Sequence, residues 1–102
     1  MKTHILCLGD SNTHGYCADP NDCADHGIRF NEEERWTCRL QKALGDEYLV
    51  TEEGLSGRTT VFVDPIHESM DALSVIYALL KSHEVIDLLI IMPVSYTHLT
   101  LP

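Results

Sequence analysis

Three strand-like runs constrain this chain more than anything else in it: "THILCL" at residues 3–8, "EYLVTE" at 47–52 and "VIDLLIIM" at 85–92. The stretches between the runs change period. Asn31 followed by Glu34 is a capping-box pattern, and acidic residues at 32–34 complement the positive end of a helix dipole. Trp36, Leu40, Ala43 and Leu44 then fall on one helical face before Gly45, which predicts a helix over 32–44. Residues 69–82 place Met70, Leu73, Ile76, Tyr77 and Leu80 on one face of a second helix. Strand, helix, strand, helix, strand is the order of an α/β domain with a parallel sheet and right-handed crossovers. In such sheets ligands bind beyond the carboxyl ends of the strands. Two loops of small residues lie there, "GDSNTHGY" at 9–16 and "GLSGRTT" at 54–60. Between the first loop and the first helix, residues 17–31 read as an irregular polar excursion able to fold over a neighbouring site.

The bulk properties narrow the function. A chain of 102 residues holds one small core. No apolar run reaches the ~18 residues of a membrane span. Seven basic against sixteen acidic residues give a formal charge of -9, which repels nucleic acid and anionic lipid surfaces, so neither is expected as a partner. The N-terminus lacks the pattern of an export signal, which makes the cytoplasm the expected location. The four cysteines are then expected as reduced thiols, with Cys7 in a strand and Cys38 in a helix. His14, Cys17, Cys23 and His26 have zinc-compatible ligand types, but the two pairs are closer than in a usual finger. No metal and no cofactor is expected.

Ser11 has two readings on its own residues. It is a nucleophile at the start of the turn after a buried strand, or a serine that caps the following segment. Gly57 similarly either lets a backbone N–H approach a developing oxyanion or supplies a positive φ, and both can hold together.

The paired loops resemble the first two sequence blocks of the SGNH, or GDSL-type, hydrolases, in particular the arylesterase and acyl-CoA thioesterase-like branch. "ERWTCRLQKAL", "VDP" at 63–65 and "IDLLIIM" match that branch in order and spacing, so the resemblance covers residues 1–92. It implies a flavodoxin-like three-layer α/β/α fold with a parallel sheet, truncated to about the first three strands. It also implies a serine esterase or acyl hydrolase acting on small acyl esters or thioesters through an acyl-serine intermediate. By resemblance Ser11 is the nucleophile, the backbone N–H groups of Ser11 and Gly57 are oxyanion-hole donors, and Asp10 supports the loop. Arg58 is expected to be a solvated surface arginine, with Asp10 or a substrate carboxylate as rival partners.

After Met92 the pattern departs from the family. A Gly-Thr-Asn-Asp type segment is expected, whose asparagine is the third oxyanion donor, but Pro93 intervenes and "PVSYTHLTLP" contains no asparagine. The family's later Asp-x-x-His, which carries the general base, has no counterpart at the expected place. Asp64 to His67 has that spacing but lies in the second crossover, where a linker histidine is the default. Residues 1–92 thus read as the N-terminal part of a hydrolase domain, inactive without the third and fourth blocks, with 93–102 a tail of doubtful origin. A homo-oligomer remains open. The rival from another class is a non-catalytic flavodoxin-like module that binds an anion on the backbone of Gly9–Gly15.

Overall fold

The structure, a computed structural model, describes residues 1–17, 29–61, 63 and 69–93. Its elements are β1 (Thr3–Gly9), α1 (Ser11–His14), α2 (Trp36–Leu44), β2 (Tyr48–Gly54), α3 (Ala72–Ser82) and β3 (Leu88–Met92). The strands form one parallel sheet in the order β2-β1-β3, as the alternation of periods predicts. Gly9 is level with Gly54 on one side and with Met92 on the other, so the three strands end in register.

The central strand carries the core. Ile5, Leu6, Cys7 and Leu8 are all buried, which suits a strand flanked on both edges and covered on both faces. Each such aliphatic side chain stabilises the fold by roughly 1.5–3 kcal/mol. Burial, with a smaller contribution from the Glu52 charge, pushes the Cys7 thiol up to about 11. Cys7 and Cys38 are free. Cys17, by contrast, is disulfide-bonded, so the expectation of four reduced thiols is corrected.

Successive side chains of a strand point to opposite faces, and β2 shows this at its end. Glu52 meets Thr37 and Arg35 beside α2, while Glu53 meets His83 at the C-cap of α3. The two helices are therefore on opposite sides of the sheet, as right-handed crossovers place them when the chain runs from β2 at one edge past the central β1 to β3 at the other.

The helix boundaries and faces differ from expectation. Asn31 caps a separate turn, its Oδ1 accepting from Glu33 N at 3.0 Å and its carbonyl from Glu34 N and Arg35 N. α2 begins only at Trp36, leaving the acidic residues 32–34 outside it. Its buried residue is Thr37, whereas Ala43, placed on the apolar face by spacing, is exposed. A glutamate and a glutamine explain the rotation. Thr37 turns inward to Glu52, and Gln41 serves the outer edge of β2: its Nε2 donates to Tyr48 O and its Oε1 accepts from Val50 N, both at 2.7 Å. One amide side chain thus replaces a missing strand neighbour, protecting an edge that would otherwise invite pairing. Gln41→Leu keeps the volume and removes both bonds, so thermal unfolding should show a loss of about 1–3 kcal/mol, the cost of leaving these groups unpaired.

α3 starts at Ala72 rather than residue 69, because the Asp71 side chain accepts from Ser74 N at 2.9 Å and fixes the N-cap. The Ser74 hydrogen bond also holds the Asp71 carboxyl below its usual value. Leu73 and Tyr77, expected inward, are 65% and 75% exposed. Leu88, Ile91 and Met92 are half-exposed as well. The outer side of β3 is therefore an uncovered apolar edge, in contrast to the buried Ile5–Leu8 run of β1.

Candidate active site

The residue after β1 decides which reading of Ser11 the backbone allows. Asp10, not Ser11, is the N-cap of α1: its Oδ1 accepts from Asn12 N at 3.0 Å. Ser11 is the first residue of the helix and is partly exposed. The Ser11 carbonyl accepts from Gly15 N at 2.8 Å and Tyr16 N at 2.9 Å, so the following turn is closed on its backbone and leaves the hydroxyl out of it. Thr13 anchors this short helix. It is fully buried, and Trp36 Nε1 donates to its Oγ1 at 3.3 Å.

The helix can sit directly on the strand ends because residue 54 has no side chain. A Cβ on Gly54 would lie 2.2 Å from His14 N and 2.6 Å from His14 Cα, both rigid backbone atoms. Gly54 closes β2, where a loop residue was expected. The His14 Nδ1 lies 3.3 Å from the Gly54 carbonyl, a contact of one ring nitrogen that joins the two strand-end loops.

The second loop is joined to the first at once. Leu55 N donates to Gly9 O at 3.2 Å. Arg58 N then donates to Leu55 O at 3.0 Å, closing a β-turn with Gly57 at its third position and φ of 87°. That is the conformation a type II turn requires and glycine supplies without strain. Thr59 continues to α3, its N–H donating to Met70 O and its carbonyl accepting from Ala72 N. The structure thus brings Asp10, Ser11 and Gly57 to neighbouring loops at one end of the sheet.

Arg58 differs from expectation. It is buried, 7% exposed, and its Nη1 donates to the Glu53 carbonyl at 2.7 Å, while Nε has no acceptor among the described residues. Burial pulls its pKa down, opposed by the Glu53 charge. Its bond to the Glu53 carbonyl braces the end of β2.

No general base meets Ser11 among the described residues. Asp64 to His67 and residues 94–102 lie outside them, as do Cys23 and His26 of the zinc-like set. Among the described residues no group of three or more His, Cys, Asp or Glu side chains could hold a metal. No described helix is long and apolar enough to cross a membrane.

The sequence reading missed the supports of this site: Glu52, Glu53, Arg29, Arg35 and Thr13. A signal existed for two of them. Tandem acidic residues at the end of a strand must face opposite sides, so each needs its own partner.

No protein-family model matches the chain, and no curated protein does. Solved structures do. The native aryl esterase of M. smegmatis is 41% identical over 89% of this chain, with a TM-score of 0.79. Est24, a carbohydrate acetylesterase from Sinorhizobium meliloti, is 37% identical over 90% of it, with a TM-score of 0.78. The chain spans only 41% and 42% of those two proteins. Identity and topology agree over nine-tenths of this chain, so it is similar to the N-terminal part of these esterases, consistent with its resemblance to the SGNH, or GDSL-type, arylesterase-like family.

Proposed function

We propose that the chain is the N-terminal part of a serine esterase that cleaves small acyl esters through an acyl-serine intermediate. The observation that carries this is the juxtaposition of the Ser11 turn and the Gly57 turn through Leu55 N to Gly9 O. Ser11 Oγ attacks the acyl carbon. The N–H groups of Ser11 and Gly57 receive the oxyanion, each such donor contributing about 3 kcal/mol to the transition state. Asp10 supports the loop from its cap position. The names of the similar structures, an aryl esterase and a carbohydrate acetylesterase, support an ester as the substrate.

The proposal places the general base and the third oxyanion donor outside residues 1–92, in the part of the similar enzymes' length that this chain does not span. Incubating the complete protein with p-nitrophenyl acetate and quenching in acid should leave an acetyl group on the peptide containing Ser11. Ser11→Ala should abolish both the adduct and turnover. Undiminished turnover in Ser11→Ala would overturn the assignment.

A further inference from the structure

A serine at the start of a four-residue helix needs that helix held, because four residues cannot hold themselves. All the terminal carbonyls of α1 must find donors outside a regular ladder. Ser11 O takes two, from Gly15 and Tyr16. His14 O takes the Nε–H of Arg29 at 2.6 Å. The same guanidinium donates through Nη2 to Glu52 Oε1 at 3.1 Å. Glu52 is fixed in turn: Arg35 bonds both its oxygens, at 2.9 Å from Nη2 and 3.2 Å from Nε, and Thr37 Oγ1 donates to Oε2. Arg35 also donates through Nη1 to Phe30 O at 2.9 Å, and Phe30 N returns to Gly15 O at 2.6 Å. Tyr16 and Arg29 pair as an antiparallel bridge.

We infer that Arg29 is a positioning residue of the nucleophile turn: braced by Glu52, its planar fork fixes the far end of α1 and thereby the place of Ser11 over the strand ends. This rests on the esterase reading for its effect on rate, though not for the clamp itself. Arginine suits the task because it donates along two fixed directions at once, to a carbonyl and to a carboxylate. Lysine would keep the charge and lose the fork. Glu52 stays ionised to do this. Burial pushes its carboxyl up, but the Thr37 hydrogen bond, the Arg35 hydrogen bond and charge, and the Arg29 charge together hold it below its ordinary 4.5. The bracing is therefore complete above about pH 4.5 and is lost only as the pH falls through the lower, folded value.

Arg29→Met and Arg29→Lys test the inference, since the side chain is 41% exposed and its loss leaves the Glu52–Arg35 pair in place. In the complete protein, both should lower kcat for p-nitrophenyl acetate about tenfold at unchanged KM and unchanged melting temperature, the cost of a nucleophile displaced by a fraction of an ångström. Full activity in Arg29→Met, or full rescue by lysine, would overturn the fork. Amide hydrogen exchange supplies the readout that does not depend on catalysis: the Phe30 N–H should exchange at least tenfold faster in Arg29→Met. Unchanged exchange overturns the clamp whatever the activity. If Ser11→Ala retains full turnover while Phe30 is deprotected, the esterase assignment fails and the clamp stands.

Discussion

A chain extended through the rest of the hydrolase domain is expected to react with a fluorophosphonate at Ser11 on the order of a millionfold faster than the 102-residue chain, the scale on which a nucleophile and its base lose their effect together. The physical reason lies in the serine hydroxyl. It is protonated at neutral pH and a weak nucleophile until an adjacent base takes its proton. Among the described residues nothing offers to do so. The His14 ring is engaged with the Gly54 carbonyl at 3.3 Å, and His4 and His83 lie along the sheet, the first bonded to Thr51 and Val85, the second to Glu53. On the proposed reading these residues supply two of the three oxyanion donors, the backbone N–H groups of Ser11 and Gly57. Those lower the barrier only once attack has begun, so they leave a small residual rate. Mass spectrometry of the labelled Ser11 peptide against time measures both rates. Equal labelling of the two chains would mean that a base within these residues activates Ser11, and the incompleteness reading would fall.

The parts of this architecture that were legible in the sequence are those set by local pattern. "THILCL" announces a strand buried on both faces because it is apolar at consecutive positions, and Ile5 to Leu8 are buried accordingly. The alternation of periods dictates parallel pairing, and the strands take the order β2-β1-β3. Helix faces were less legible, for a physical reason. Spacing assigns Leu73, Ile76, Tyr77 and Leu80 of α3 to one inward face, yet a helix can bury only the stripe that a neighbour covers. Leu73 and Tyr77 remain outside because no described element packs on them. In α2 the inward positions went to Thr37 and Gln41, polar residues whose partners come from β2, and no window of local sequence contains both ends of such a contact. The same holds for the site. "GDSNTHGY" and "GLSGRTT" mark the two turns, since glycine and small polar residues after a strand have few other uses. Their supports, Glu52 with Arg29 and Arg35, and Glu53 with His83, are spread across long separations and became visible only in the fold.

The second large effect is expected at Gly54, a residue with no functional group. Gly54→Ala places a methyl 2.2 Å from His14 N and 2.6 Å from both His14 Cα and Thr13 C. These are backbone atoms, so no rotamer change relieves the overlap, and normal contact requires α1 to rise from the strand ends by about 1 Å. Thr13 opposes that movement, because it is fully buried and bonded to Trp36. The strain should therefore divide between the two. Overpacking of this kind costs about 1–3 kcal/mol of stability, read as a lower unfolding midpoint at unchanged denaturant slope. Displacement of the nucleophile should add a loss of about a hundredfold in the rate of Ser11 acylation in the complete protein. The two readouts separate a merely weakened fold from a misplaced site. A protein that is simply less stable acylates at the normal rate once corrected for its folded fraction, whereas a displaced α1 stays slow at every temperature below the transition. Normal acylation in a folded Gly54→Ala protein would show that α1 has room to move without consequence, and the close approach of Gly54 to His14 would then play no part in placing Ser11.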